Sequence, residues 1–314
     1  MAFAAAGIPA KEDRRVSRAC RQQEQRGNAM GYEYKLLDVA VSGRVATVTI
    51  SNPPVNVITL ALLAELEALS HALKADPDLT VVVFRSADPD FFLAHFDVAA
   101  ILQRPTDTPA RRDPQIKPYH AMCERYRTMD KVVIAQIEGR VGGGGSELVA
   151  SFDMRFGVRG KTKINQMEVP LGILPGGTGT QRLPRLIGRG RAMELILAGD
   201  DLDAETAERW GYLNRVYEAK EIGPAVEKLA RRIASFPAEA VRLAKQSVNQ
   251  SDRPLIEGLF EEAYLFDQTL RTAGAKANMR RFLEIGGQTR EGELRMGELC
   301  AELGAGDEGT TRRG

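Results

Sequence analysis

The residues with the clearest chemical potential surround a glycine run, Gly142–Gly145, followed at once by Ser146 and Glu147. The run stands between the apolar stretch Val132–Ile137, which reads as a buried strand, and a helix that begins inside it. Glycine at such a junction lets the backbone approach a ligand closely, and the N–H groups of the first helical turn have no partner within the helix. An anionic or developing-anionic oxygen is the natural guest. Glu147 falls in that first turn. A carboxylate there suits the helix dipole on structural grounds alone, and it is also close enough to act on the guest. A second cluster, Pro175-Gly176-Gly177-Thr178-Gly179-Thr180, repeats the glycine theme.

Several familiar chemistries fail at single positions. GxGxxG breaks at Glu147 in the first cluster and at Arg182 in the second. A Walker loop ending at Gly160-Lys161-Thr162 needs glycine where Arg155 stands, and a nucleophile elbow around Ser146 needs it where Leu148 stands. His71, His95 and His120 lack metal-ligand spacing, so no metal is expected. Cys20, Cys123 and Cys300 lie far apart with no CxxC pair, which argues against a disulfide framework or zinc site and favours the reducing cytoplasm.

The 314 residues carry 43 Lys+Arg against 42 Asp+Glu, a net charge of +1, which does not suit a chain that neutralises nucleic-acid phosphates. No apolar run approaches the roughly 18 residues of a membrane span. At 43% hydrophobic residues the chain has material for a sizeable core. Lys35-Val41 and Val45-Ser51 read as a hairpin around Ser42-Gly43, and Leu60-Lys74 as an amphipathic helix. Thr80-Arg85 and Met154-Val158 read as further strands, with a helix near Tyr119-Met129. From about Arg191 to Ile285 the pattern is helical, broken by a strand at Leu213-Tyr217. This order predicts an α/β core with an appended helical region. The expected organisation is a flexible tail over 1–30, a core domain over 31–200, a helical region over 201–286 and a disordered tail over 287–314. Met30 is expected to be the natural start or to mark the edge of the folded part.

The succession of segments goes further. Asn52-Pro53-Pro54-Val55-Asn56-Val57 is followed by Phe91-Phe92-Leu93-Ala94-His95-Phe96-Asp97, then Gly143-Gly144-Gly145-Ser146-Glu147-Leu148. Gln166-Met167-Glu168 through Gly172 and the stretch Pro175–Leu183 complete it. Between Tyr34 and Ile285 this order resembles the enoyl-CoA hydratase/isomerase, or crotonase, superfamily. The resemblance implies a crotonase-like spiral of repeated ββα units and a C-terminal helical region that takes part in trimer formation, giving a homotrimer or homohexamer. It implies an acyl-CoA thioester as ligand, with no cofactor beyond the coenzyme A of the substrate, and no nucleic-acid or membrane partner. It implies an oxyanion hole built from the Phe96 and Gly144 N–H groups, with Glu147 as base toward water and Glu168 as proton donor to C2. Val55, His95, Asp97, Gly143 and Gly172 carry over as substrate-binding positions. The glutamate pair favours addition of water to a 2-enoyl thioester. The alternatives are double-bond isomerisation, decarboxylation, C–C cleavage, or acyl-CoA binding without turnover.

The chain departs from the family pattern FxAGADxK, where it has His95, Phe96 and Ala99 in place of Gly, Ala and Lys. An N–H donor survives any side chain except proline, but His and Phe disfavour the positive φ that Gly permits, so a changed loop path is expected. His95 is either a further acid/base or polar clamp, or a loop histidine bonded to backbone. Phe96 narrows the acyl pocket or shields it from water. Arg111, Arg112 and Lys117, in the loop Arg104–Pro118, either meet CoA phosphates or are solvated. His71, His120 and Trp210 read as ordinary structural residues.

Overall fold

Along Val45–Ile50 the side chains alternate between half-buried and buried, the period of a strand with one covered face. Val132–Ile137 is buried at every position, the pattern of a parallel strand covered on both faces. The computed structural model describes residues 32–235, 238–249, 256, 266–267, 270–271 and 273–305. The expected N-terminal tail, the Met30 boundary and residues 306–314 lie outside the described residues.

In chain order the elements are β1 (Leu37–Ser42), β2 (Val45–Ile50), α1 (Leu60–Ala75), β3 (Val81–Ser86), β4 (Phe91–Leu93), α2 (Val98–Leu102), α3 (Pro118–Thr128), β5 (Val132–Ile137), β6 (Arg140–Gly142) and α4 (Gly143–Val149). There follow β7 (Met154–Val158), β8 (Lys163–Asn165), α5 (Gly179–Ile187), α6 (Arg189–Ala198), β9 (Leu202–Asp203), α7 (Ala204–Trp210), β10 (Arg215–Tyr217), α8 (Ile222–Ala234) and α9 (Ala238–Asn249). Last come α10 (Ala273–Glu284), α11 (Arg290–Leu294) and α12 (Met296–Ala305).

The strands form a six-stranded sheet, ordered β1-β2-β3-β5-β7-β10, and a four-stranded sheet, ordered β4-β6-β8-β9. From β3 to β8, each pair of strands sends its first member to the large sheet and its second to the small one, and a helix follows. This is the expected spiral of ββα units. The large sheet is parallel except for the β1–β2 hairpin. In the small sheet β4, β6 and β8 are parallel, and β9 runs antiparallel to β8.

Leu62, Leu66, Leu69 and Leu73 bury one face of α1 in the main core, and Thr59 caps its first turn. Leu60, in the same helix, is 63% exposed: its turn reaches a cavity mouth rather than the core. Trp210 packs against the main core, as expected of a structural residue.

Among the described residues the chain stays helical beyond Gly286. Residues 287–305, expected to be disordered, include α11 and α12. Met296, Leu299, Cys300 and Leu303 recur at helical spacing and are buried with Met279 and Phe282 of α10. They pack against Met167, Leu171 and Ile173, which flank Glu168. The apolar stripe is short and set among glycines and charges, which hides it in the sequence. Leu299 is fully buried, so Leu299→Ala is expected to cost about 2–5 kcal/mol, read as a lowered urea midpoint. A loss under about 0.5 kcal/mol, as at an ordinary surface position, would mean that this segment contributes nothing to the core.

Candidate active site

Because β4, β6 and β8 are parallel neighbours in close register, the segments leaving their carboxyl ends converge. Leu93 pairs with Val141 and Gly142 with Asn165. Residues 94–97 follow β4, α4 follows β6, and Gln166–Glu168 follows β8. The carboxyl edge of parallel strands is the usual place for a ligand in open α/β sheets. A cavity of about 410 Å³ opens there, lined by Phe96, Gly144, Glu147 and Glu168 among others.

Phe96 sits opposite Ile58 in a parallel bridge. The Ile58 N–H donates to the His95 carbonyl at 2.8 Å, and the Asp97 N–H donates to the Ile58 carbonyl at 3.1 Å. In a trans peptide the N–H lies opposite the C=O, so the Phe96 N–H points away from Ile58 and toward α4. Its nitrogen lies 3.4 Å from the point a Cβ on Gly144 would occupy. Gly144 is the second residue of α4, so its N–H falls in the first turn, where helices leave donors unused. Both donors that the resemblance implies therefore flank one cavity.

Tyr119, at the start of α3, donates its hydroxyl to the Gly144 carbonyl at 2.6 Å and sets its ring edge-on to Phe96. Burial pushes the phenol well above its ordinary pKa, and the charges of Cys123, Glu147 and Glu168 add to the effect. The hydroxyl thus stays protonated and holds the glycine run in place. Gly143 has φ +43°, and a Cβ there would lie 3.0 Å from both Glu168 Oε1 and His95 Cβ. Only glycine suits that corner.

Glu147 is 3% exposed. Its Oε1 accepts three backbone N–H groups, from Gly177 at 2.9 Å, Thr178 at 3.0 Å and Gly179 at 2.7 Å. Those groups form the N-terminal end of α5, so a carboxylate from one helix caps another. A Cβ on Gly177 would stand 2.5 Å from Glu147 Oε2. The second glycine cluster therefore wraps Glu147. Glu168 is held differently. Its Oε2 accepts from Gln166 Nε2 at 3.3 Å, and its carbonyl accepts the Leu171 and Ile173 N–H groups at 3.0 Å each.

The cavity gathers Glu147, Glu168, Phe96, Gly144 and His95 of the positions expected from sequence. Four positions do not line it. Val55 is fully buried with Val57, Phe91 and Ala94 in a separate apolar cluster. Asp97 caps α2 through the Ala99 N–H at 2.9 Å and accepts from the Gln288 side chain at 2.9 Å. Gly143 turns the chain behind the site, and Gly172, at φ +80°, closes the turn after Glu168.

His95 has both ring nitrogens engaged: Nδ1 lies 2.8 Å from the Phe96 carbonyl and Nε2 lies 2.6 Å from Glu293 Oε1. It is 2% exposed, and its bonds lead to backbone and to α11. The role of a further acid/base therefore has no free ring nitrogen to serve it. Burial alone would lower the imidazole pKa. The Glu293 charge and hydrogen bond, the Phe96 carbonyl and the Asp97 charge together outweigh it and raise the value.

His120 Nε2 donates to the Gly176 carbonyl at 2.8 Å but His120 also lines the cavity, where the sequence reads only a structural residue, and His71 lies on the exposed face of α1. Lys117 reaches the cavity rim and pairs with Asp113 at 3.0 Å, and Arg104 stands at the rim over the Phe266 ring. Two contributors escaped the sequence. Tyr119 lies in a recognised helix, but no spacing signals its contact with Gly144. Glu293 lies in a segment whose structure the sequence hid.

Residues 40–290 match the profile of the family described as Enoyl-CoA hydratase/isomerase. The chain belongs to the enoyl-CoA hydratase/isomerase family. The crotonyl-CoA hydratase of Syntrophomonas wolfei is 33% identical over 257 residues, covering 81% of this chain and 96% of its own length. The short-chain-enoyl-CoA hydratase of Clostridium acetobutylicum is 32% identical over 244 residues, covering 77% and 92% respectively. Among solved structures, a candidate enoyl-CoA hydratase from Streptomyces avermitilis superposes with a TM-score of 0.78 at 35% identity, covering 87% of this chain and all of that one.

In this enoyl-CoA hydratase/isomerase family member the His95 shift makes a testable demand on stability. A histidine whose folded pKa is raised contributes stability that is full below its unfolded value of about 6.5 and is lost as pH rises through the folded value. The stability difference between wild type and Glu293→Gln is therefore expected to be largest near pH 6 and to shrink toward alkaline pH. Denaturant unfolding across that range measures it. A difference that grows with pH would contradict the raised value.

Proposed function

We propose that the protein is an enoyl-CoA hydratase that adds water across the 2,3 double bond of a 2-enoyl-CoA thioester. One observation carries the reading: two buried carboxylates from separate strand ends face the cavity that the Phe96 and Gly144 donors flank. Glu147 takes a proton from water as the oxygen attacks C3. The double-bond electrons move toward the thioester, and its oxygen becomes enolate-like between the two N–H groups. Each such donor lowers the barrier by about 3 kcal/mol in comparable sites. Glu168 delivers a proton to C2 as the carbonyl re-forms. The carboxylates act as a coupled pair across one water.

The three N–H groups on Glu147 Oε1 fix that carboxylate in place at the cavity. Leu63, Val98, Ile101, Leu171 and Ile173 give the cavity the apolar wall an acyl chain needs, while Arg104 and Lys117 offer cations at the rim for CoA phosphates. In this reading the reaction takes no cofactor, because coenzyme A arrives with the substrate. The closed state of His95 supports hydration over a chemistry that would need a third acid/base. We assign the protein to the cytoplasm, where the buried free thiols Cys123 and Cys300 stay reduced. We further assign it to a homotrimer or homohexamer, consistent with the exposed apolar side chains Met193 and Leu197 on α6. Among the described residues, no helix is long and apolar enough to cross a membrane.

Incubation with crotonyl-CoA, followed by loss of the conjugated enoyl absorbance, tests the activity. Glu147→Gln and Glu168→Gln are each expected to lower kcat by about 10²–10⁴-fold, the usual worth of general acid/base catalysis. Near-full activity in either variant would remove that residue from the mechanism. Binding of short and long enoyl-CoAs without turnover would leave an acyl-CoA binder instead.

A further inference from the structure

We propose that His95 is a positioning residue of the oxyanion hole, clamped by Glu293 so that its Nδ1–H holds the Phe96 carbonyl and fixes the direction of the Phe96 N–H. The inference rests on the reading that this N–H receives the thioester oxygen.

That N–H lies in the peptide plane between His95 and Phe96, and the next plane, between Phe96 and Asp97, fixes the Phe96 backbone on its other side. Ile58 holds the first by donating to the His95 carbonyl at 2.8 Å. The second is held at its Asp97 N–H, which donates to the Ile58 carbonyl at 3.1 Å, and at its Phe96 carbonyl, onto which the His95 ring closes back at 2.8 Å. A carbonyl only accepts, so Nδ1 must carry a proton. A ring making this bond needs its own orientation fixed, and that comes from far along the chain. Glu293 Oε1 meets Nε2 at 2.6 Å, with both side chains no more than 2% exposed. The same oxygen also accepts the Gln288 N–H at 2.7 Å. The Gln288 side chain then donates to Asp97 at 2.9 Å, so α11 and the turn before it grip both residues flanking Phe96. Phe282 packs its ring edge against the imidazole. On the other side, the Arg140 guanidinium donates to the Glu293 carbonyl and pairs with Asp201, which ties the clamp to β6.

A buried ion pair is a poor source of stability compared with apolar packing, while it orients its members strictly. Its position, one residue from the donor, matches a demand for orientation. Glycine and alanine leave such a loop to its backbone. Here a bulky pair occupies those positions, and the ring, the carboxylate and the C-terminal helices supply the restraint.

Two substitutions separate the halves of the clamp. His95→Asn keeps an amide N–H near the place of Nδ1 and gives up the reach to Glu293. His95→Gln reaches toward Glu293 and leaves the Phe96 carbonyl without its partner. With the full-length protein and crotonyl-CoA, His95→Gln is expected to lower kcat about ten- to hundredfold with KM within about threefold, the penalty of a group misplaced by about 1 Å. His95→Asn is expected to keep kcat within about fivefold of wild type. A second measurement reads the hole directly. Hexadienoyl-CoA, a conjugated thioester, absorbs at longer wavelength when hydrogen bonds polarise its carbonyl. Its shift on binding should be reduced but retained in His95→Asn, which loses the Glu293 contact, and collapse in His95→Gln.

Equal losses in the two variants, or no loss in either, would overturn the clamp and leave the pair a packing feature. So would a wild-type protein that binds hexadienoyl-CoA with no shift. If His95→Gln does not fold, Glu293→Gln replaces it, since it keeps the Nδ1–H and removes the charge behind it. An intermediate shift then supports the clamp, and an unchanged one overturns it. A wild-type protein that shifts hexadienoyl-CoA but hydrates no enoyl-CoA would sink the hydratase reading and leave the clamp to be judged on the shift alone.

Discussion

A carboxylate taken out of water must be surrounded by donors, and Glu147 meets that demand with three consecutive peptide N–H groups at the start of α5. Much of the site follows from this contact. The donors can converge on one oxygen only if the chain at 177–179 comes within bonding range of it, and side chains there would collide with the carboxylate they serve. The second glycine cluster is therefore shaped by the first glutamate. The same contact fixes α4 against α5, and with it the glycine run that borders the cavity. Tyr119 secures that run from the other side through Gly144.

The C-terminal helices complete what the strands begin. The small sheet places its three strand ends together, but nothing in it restrains the loops beyond them. Met167, Leu171 and Ile173 gain their packing partners from α10 and α12, which settles the path on either side of Glu168. His95 gains its partner from α11. The cavity is thus an enclosure between the carboxyl edge of a sheet and a helical group that follows it by more than a hundred residues in sequence.

The sequence displayed the chemistry more clearly than the geometry. The glycine runs, Glu147 and Glu168 stand out because few residue types suit such segments, and the fold brings residues of all of them to one cavity. Long elements such as α1 and β5 were legible because their burial repeats over many residues. The strands that gather the site were not: β4, β6 and β8 have three residues each, too few to show a period. Val55 and Asp97 show the limit of carrying roles over by position, since one serves the core and the other caps α2. Glu293 was invisible for another reason. A glutamate among glycines and charges gives no sign of burial, and only the fold brings a histidine 198 residues away to within 2.6 Å of it.

The brevity of those strands also governs how the protein can change. A strand advances about 3.3 Å per residue and reverses its facing side at each step. Losing one residue from β4, β6 or β8 would pull the following loop back by that distance and turn its side chains to the wrong face, with no remaining length to absorb the error. The six-residue strands β3 and β5 of the large sheet have more pairing length over which such a slip can be taken up. Insertions and deletions should therefore be scarce in the small sheet, while variation in length collects in the loop between α2 and α3, which joins helices and leaves strand register untouched.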